Sequence, residues 1–192
     1  MLLLYHFVRK KSIYFERNSK MKILNIHGYK SSGRNSSYEA LKAIGKDAVS
    51  LTIDYDALSP DEILEMLCRE AEKSGAEVVI GSSLGGFFAA LISVRLGLPA
   101  VLINPCLMPF LHLPRLGYEG DIRPFMHLFG ELSGIDEKKV YTIVGGSDEV
   151  IDTHDMTRNL LRNTHFEVVP NGGHSGSTLP LERFFSEVLS NS

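Results

Sequence analysis

At 192 residues, with 44% hydrophobic and 22% charged side chains, the chain has the length and apolar content of a single globular core. A formal net charge of −3 without a long Lys/Arg run gives no footprint for nucleic acid, and no apolar run approaches the roughly 18 to 20 residues of a membrane span. Cys68 and Cys106 show neither metal-ligand nor redox-motif spacing and read as reduced core residues, so the expectation is a cytoplasmic protein whose partner is a small molecule.

Residues 1–20 differ in character from the rest of the chain, carrying Arg9, Lys10, Lys11, Arg17 and Lys20 among scattered apolar residues. They read as an N-terminal extension that is non-native, disordered or a real accessory arm, and the sequence leaves these alternatives open. The domain is taken as 21–192. From Met21 onward, short apolar runs alternate with amphipathic helices, the pattern of a parallel sheet covered on both faces. Strands are expected at Lys22 to His27, Val49 to Ile53, Glu77 to Gly81, Ala100 to Asn104, Val140 to Val144 and Phe166 to Val169. Helices are expected at Ser36 to Ile44, Pro60 to Lys73, Leu84 to Leu96, Thr153 to Arg162 and Pro180 to Leu189. Ser59-Pro60-Asp61-Glu62 is a strong helix start, with an N-cap serine followed by proline and acids. The stretch 105–137, rich in Pro, Gly, Phe and Leu, breaks the alternation and reads as a cap-like insertion.

The third strand runs into Gly81-Ser82-Ser83-Leu84-Gly85-Gly86 and then a helix. A serine on so sharp a strand-to-helix turn needs small neighbours because the two backbones converge, which marks Ser83 as a nucleophile; the glycines do not frame Ser82 in the same way. Serine at neutral pH needs an imidazole to take its proton and a carboxylate to orient that imidazole, in the chain order Ser, acid, His for this arrangement. His174, in Asn171-Gly172-Gly173-His174-Ser175-Gly176 after the last strand, is the candidate base. For the acid, Asp148 is the first carboxylate past the fifth strand, where ligands gather in open sheets. Asp152 is its rival, with an alternative reading as a helix N-cap. Oxyanion donors are expected from the backbone amides of Leu84 and of Tyr29, the latter in the loop Gly28-Tyr29-Lys30-Ser31-Ser32-Gly33. His27 reads as a residue that braces this loop. Leu107, Met108 and Phe110, with Leu111 and Phe125, could line an apolar acyl pocket or pack as a core of their own.

Ile26-His27-Gly28-Tyr29 with Ser31-Ser32, Gly81 to Phe87, Ile103-Asn104-Pro105-Cys106, Gly146 to Val150 and Gly172-Gly173-His174 together resemble the YqiA/YcfP-like small esterases of the α/β-hydrolase superfamily. The resemblance spans nearly everything from Met21 onward. It implies a compact α/β-hydrolase fold of about six parallel strands, lacking the first two strands of larger hydrolases. It also implies Ser83, Asp148 and His174 as a triad acting on acyl esters or thioesters, without a cofactor. The function expected is a serine esterase working through an acyl-Ser83 intermediate; the alternatives are an acyltransferase with the same triad and a non-catalytic binding protein on the same fold.

Overall fold

The computed structural model describes residues 21–190, so the N-terminal extension expected at 1–20 lies outside the described residues. In chain order the elements are β1 (Ile23–Ile26), α1 (Ser36–Ala43), β2 (Ala48–Ser50), α2 (Pro60–Ser74), β3 (Val78–Ser82), α3 (Leu84–Leu96), β4 (Ala100–Ile103), α4 (Pro109–His112), α5 (Arg123–Phe129), β5 (Val140–Gly145), α6 (His154–Leu160), β6 (His165–Val169) and α7 (Leu181–Val188). The six strands form one sheet in the order β2-β1-β3-β4-β5-β6, every pair parallel. Strand order reverses between β1 and β3. In an open parallel sheet that reversal leaves a crevice beyond the strands' carboxyl ends.

Alternate side chains on the strands point to opposite faces, and each face has its own core. Leu24, Ile26, Val79 and Leu102 pack with α2, α3 and α5, whereas Ile23, Val78, Ile80, Val101 and Ile103 pack with Leu41 of α1 and with Phe184 and Phe185 of α7. Helix α2 has the expected start: Ser59 and Glu62 form a reciprocal capping box, Pro60 opens the first turn, and Gly75 closes the helix in the left-handed conformation. Helix α3 is apolar on every side and buried from Leu84 to Ser93, the signature of a helix enclosed by other elements.

Two expectations shift. The second strand ends at Ser50, short of Ile53, because the backbone beyond leaves the ladder: the Ile53 amide donates to His27 Nε2 at 2.8 Å. The stretch 105–137 folds into two short α-helices joined by 3₁₀ turns, and its Leu107, Leu113, Tyr118, Phe125, Leu128 and Leu132 enter the core shared with α3.

Candidate active site

Ser83 directly follows the carboxyl end of β3, the neighbour of β1 at the strand-order reversal, and precedes α3. Its backbone is held at φ 53°, ψ −121°, a conformation L-residues rarely adopt. Three hydrogen bonds hold it there: its amide donates to Ile103 O (2.9 Å), and its carbonyl accepts from Gly86 N (2.9 Å) and Cys106 N (3.0 Å). The flanking glycines are required by contact. A Cβ on Gly81 would lie 2.1 Å from Gly85 O, and one on Gly85 would lie 2.3 Å from Ile26 O. Ser82 faces a different set of partners, its hydroxyl lying 3.3 Å from Ser37 Oγ and 3.5 Å from the Asn35 amide.

His174 and Ser83 line the same cleft. The His174 ring directs Nδ1 at Asp148, 2.9 Å from Oδ2 and 3.1 Å from Oδ1, which leaves Nε2 as the nitrogen available to a nucleophile. The Asp148 side chain is only 1% exposed. Burial alone would raise its pKa; hydrogen bonds from His154, His174 and the Ile151 and Val150 amides overcome that effect and hold the carboxyl well below the usual carboxylate range. Asp152, the rival acid, is exposed and pairs with Arg115 at 3.1 Å, and the α6 N-cap position falls to Thr153.

The sequence does not single out Asn104 as a site residue, yet it ties two site loops together. It sits at φ 43° just past β4, its amide donating to Gly173 O (3.0 Å) and His174 O (2.8 Å) while its carbonyl accepts from Gly145 N (2.7 Å). Glu149 adds a further tie, accepting the His174 amide at 3.1 Å. His154 is the other site residue without a sequence signal: its Nε2 lies 2.8 Å from Asp148 Oδ2. The first-strand loop is braced by His27, whose Nε2 accepts from Ile53 N and whose Nδ1 donates to Gly28 O at 2.7 Å. Burial lowers the His27 pKa, with the Gly28 hydrogen bond opposing. Gly28 lies so close to Ser83 that a Cβ there would be 2.9 Å from Ser83 Cβ. Leu84 is the first residue of α3, where an amide has no intrahelical partner, and among the described residues the Tyr29 amide makes no loop hydrogen bond.

The cleft holds about 320 Å³ and is walled by Tyr29, Ser31, Arg34, Asn35 and Ser36 on one side and by Ser175 and Gly176 on the other. Its lining contains no carboxylate. Leu107, Met108 and Phe110 are not part of it. Leu107 and Met108 are buried at 1% and 2% exposure, Leu107 within the core shared with α3, and Phe110 stacks edge-to-face on Phe129. Among the described residues no group of three or more His, Cys, Asp or Glu is placed to hold a metal, and no helix is long and apolar enough to cross a membrane.

A family model described as "Uncharacterised protein family (UPF0227)" matches residues 22–128. A UPF0227 protein of Shewanella woodyi is 35% identical over 95 residues, a match covering 45% of this chain and about half, 52%, of that protein. A UPF0227 protein of Shewanella sediminis is 26% identical over 150 residues, covering 72% of this chain and 82% of the relative. Among solved structures, Est1E from Butyrivibrio proteoclasticus aligns with a TM-score of 0.65 at 13% identity, covering 91% of each chain. A monoacylglycerol lipase of Paleococcus ferrophilus gives 0.62 at 13% identity, over 88% of this chain and 92% of that one. An M. tuberculosis esterase gives 0.62 at 16% identity, over 90% and 85%. The fold is that of the α/β hydrolases.

Proposed function

The chain belongs to the uncharacterised protein family UPF0227, and from that premise we propose that it is a serine hydrolase cleaving small acyl esters, with Ser83, His174 and Asp148 as its triad. The observation that carries this reading is the bond from His174 Nδ1 to the buried Asp148, made by a ring that shares its cleft with the strained Ser83.

In the reaction this arrangement supports, Ser83 Oγ attacks the ester carbonyl carbon as its proton passes to His174 Nε2. Asp148 keeps Nδ1 protonated and steadies the imidazolium. Charge developing on the carbonyl oxygen is met by the amides of Tyr29 and Leu84, each such donor being worth about 2.7 to 4 kcal/mol. The tetrahedral intermediate expels the alcohol with the proton from Nε2. A water molecule, deprotonated by the same nitrogen, then cleaves the acyl-serine.

The cleft also supports a substrate class. At about 320 Å³ it stands at the small end of ligand sites. Hydroxyls of Ser31, Ser36 and Ser175 and the Arg34 guanidinium line it with no carboxylate among them, which favours a short ester bearing a polar or anionic group. The solved neighbours named for esterase and lipase activity are consistent with ester chemistry on this fold. A fluorophosphonate probe followed by peptide mass spectrometry tests the mechanism. Label on Ser83 that is lost in His174→Ala is expected; label elsewhere, or undiminished labelling of that variant, would refute it.

A further inference from the structure

Asp148 is held by more than its partner in the triad. Oδ1 accepts the amides of Val150 and Ile151, both at 2.9 Å, and Oδ2 accepts from His154 Nε2 at 2.8 Å as well as from His174 Nδ1. A carboxylate only accepts, so the His154 proton facing it must be carried on Nε2. At the far side of that ring Nδ1 is buried with no hydrogen-bond partner, which leaves Asp148 as the ring's polar tie. Burying an unpaired ring nitrogen costs free energy that an aliphatic side chain of similar size would avoid. Packing alone therefore does not account for an imidazole at this position.

What the bond adds is geometric. Rotation of a carboxylate about its last side-chain bond is soft, and the two amides grip only Oδ1. A second fixed point on Oδ2 sets the plane of the group, and that plane decides how it meets His174. We propose that His154, at the start of α6, is a positioning residue of the triad, fixing the Asp148 carboxylate through Oδ2 so that it presents squarely to His174 Nδ1. The proposal rests on the reading of Ser83, His174 and Asp148 as a triad.

It also has an electrostatic consequence. The His154 hydrogen bond draws charge from the carboxylate, so its loss leaves more negative charge facing His174 and favours the protonated, inactive base. The other titratable and charged groups around this cluster are Cys106, His112, Glu149, Asp152, Asp155 and Arg158. They stay the same across variants of His154.

The test uses the full chain, p-nitrophenyl acetate as substrate, and the variants His154→Leu, His154→Gln and His174→Ala. Replacing the triad acid outright costs a serine protease about 10⁴-fold in kcat. Losing one of several bonds to it is expected to cost about tenfold in kcat with KM little changed, and the acid limb of the kcat/KM profile should move to higher pH. His154→Gln, whose amide nitrogen reaches the same oxygen, should recover most of the rate. If His154→Leu does not fold, His154→Met takes its place. An aliphatic variant with wild-type kcat and an unmoved acid limb overturns the proposal while an inactive His174→Ala leaves the triad standing. Equal impairment of the Gln and aliphatic variants also overturns it. An active His174→Ala overturns the triad and the proposal together.

Discussion

Asn104 grips the backbone of His174 from beneath: one side-chain amide donates to the carbonyls of Gly173 and His174, and its oxygen accepts the amide of Gly145 at the end of the strand that leads to Asp148. The proposed base and acid thus share an anchor that is itself neither. Asn104→Ala would take their side-chain partner from the His174 carbonyl and the Gly145 amide, leave the Gly173 carbonyl to Thr178 alone, and also place alanine at positive φ. A stability loss of about 2 to 4 kcal/mol is expected, from unpaired buried groups at about 1 to 3 kcal/mol each and partial rescue by water. The rate should fall even in protein that stays folded. Thermal melts alongside ester hydrolysis check this, and a variant with unchanged melting and unchanged kcat would contradict it.

The strain at Ser83 gives a second expectation. Glycine tolerates φ 53°, ψ −121° and alanine does not. Ser83→Gly and Ser83→Ala should be equally inert toward a fluorophosphonate, but the glycine variant should be the more stable of the two by about 1 to 3 kcal/mol. Chemical denaturation measures the difference, and equal midpoints would show the backbone to be relaxed.

Arg34 makes no ion pair among the described residues and lines the cleft beside Ser83. With Arg34→Ala, KM for a monoester of a dicarboxylic acid should rise about threefold to tenfold, in keeping with about 1 kcal/mol for an exposed charge contact. KM for the matching neutral ester should change less. The wild-type preference for the anionic ester should fade as salt is raised. Steady-state kinetics on the ester pair decide it; no preference between them at low salt would count against an anionic substrate.

Stability should fall on the acid side of neutrality. The pKa values of His27 and His112 are lowered in the folded protein, chiefly by burial. The unfolded chain therefore takes up these protons at a higher pH than the folded one does. Stability contributed by the neutral rings is complete above the unfolded value, about 6.5, and is lost as pH falls from there toward the folded values. For His27 the mechanism is concrete, since protonating Nε2 removes the acceptor for the Ile53 amide. Urea midpoints measured from pH 8 to pH 5 should decline below about 6.5, and a flat series would be incompatible with this account.

The framework of the molecule is legible in the sequence because local signals carry it. Helix α3 spans Leu84–Leu96, beginning directly after Ser83 and closed by Gly97 at φ 68°. Asp148 is marked by its place after β5, where the structure sets it against His174. Direction is what the sequence lacks. Apolar content in 105–137 says that Leu107 and Met108 will be covered but not whether by core or by ligand, and the core takes them. Asn104 and His154 escape for a related reason. Asn104 bonds partners 41, 69 and 70 residues away, and His154, only six residues from Asp148, looks like an ordinary residue of a helix's first turn. No periodicity or turn rule reports such ties.

Helix α3 is covered on every side, whereas the loop after His174 meets solvent at Ser175, Ser177 and Thr178. The two ends of the proposed triad are thus anchored at different depths of the folding free energy. Amides deep in α3 should exchange with deuterium only through global opening, while those of the His174 loop exchange through local excursions. Substitution in that loop can therefore alter the setting of His174 without disturbing Ser83.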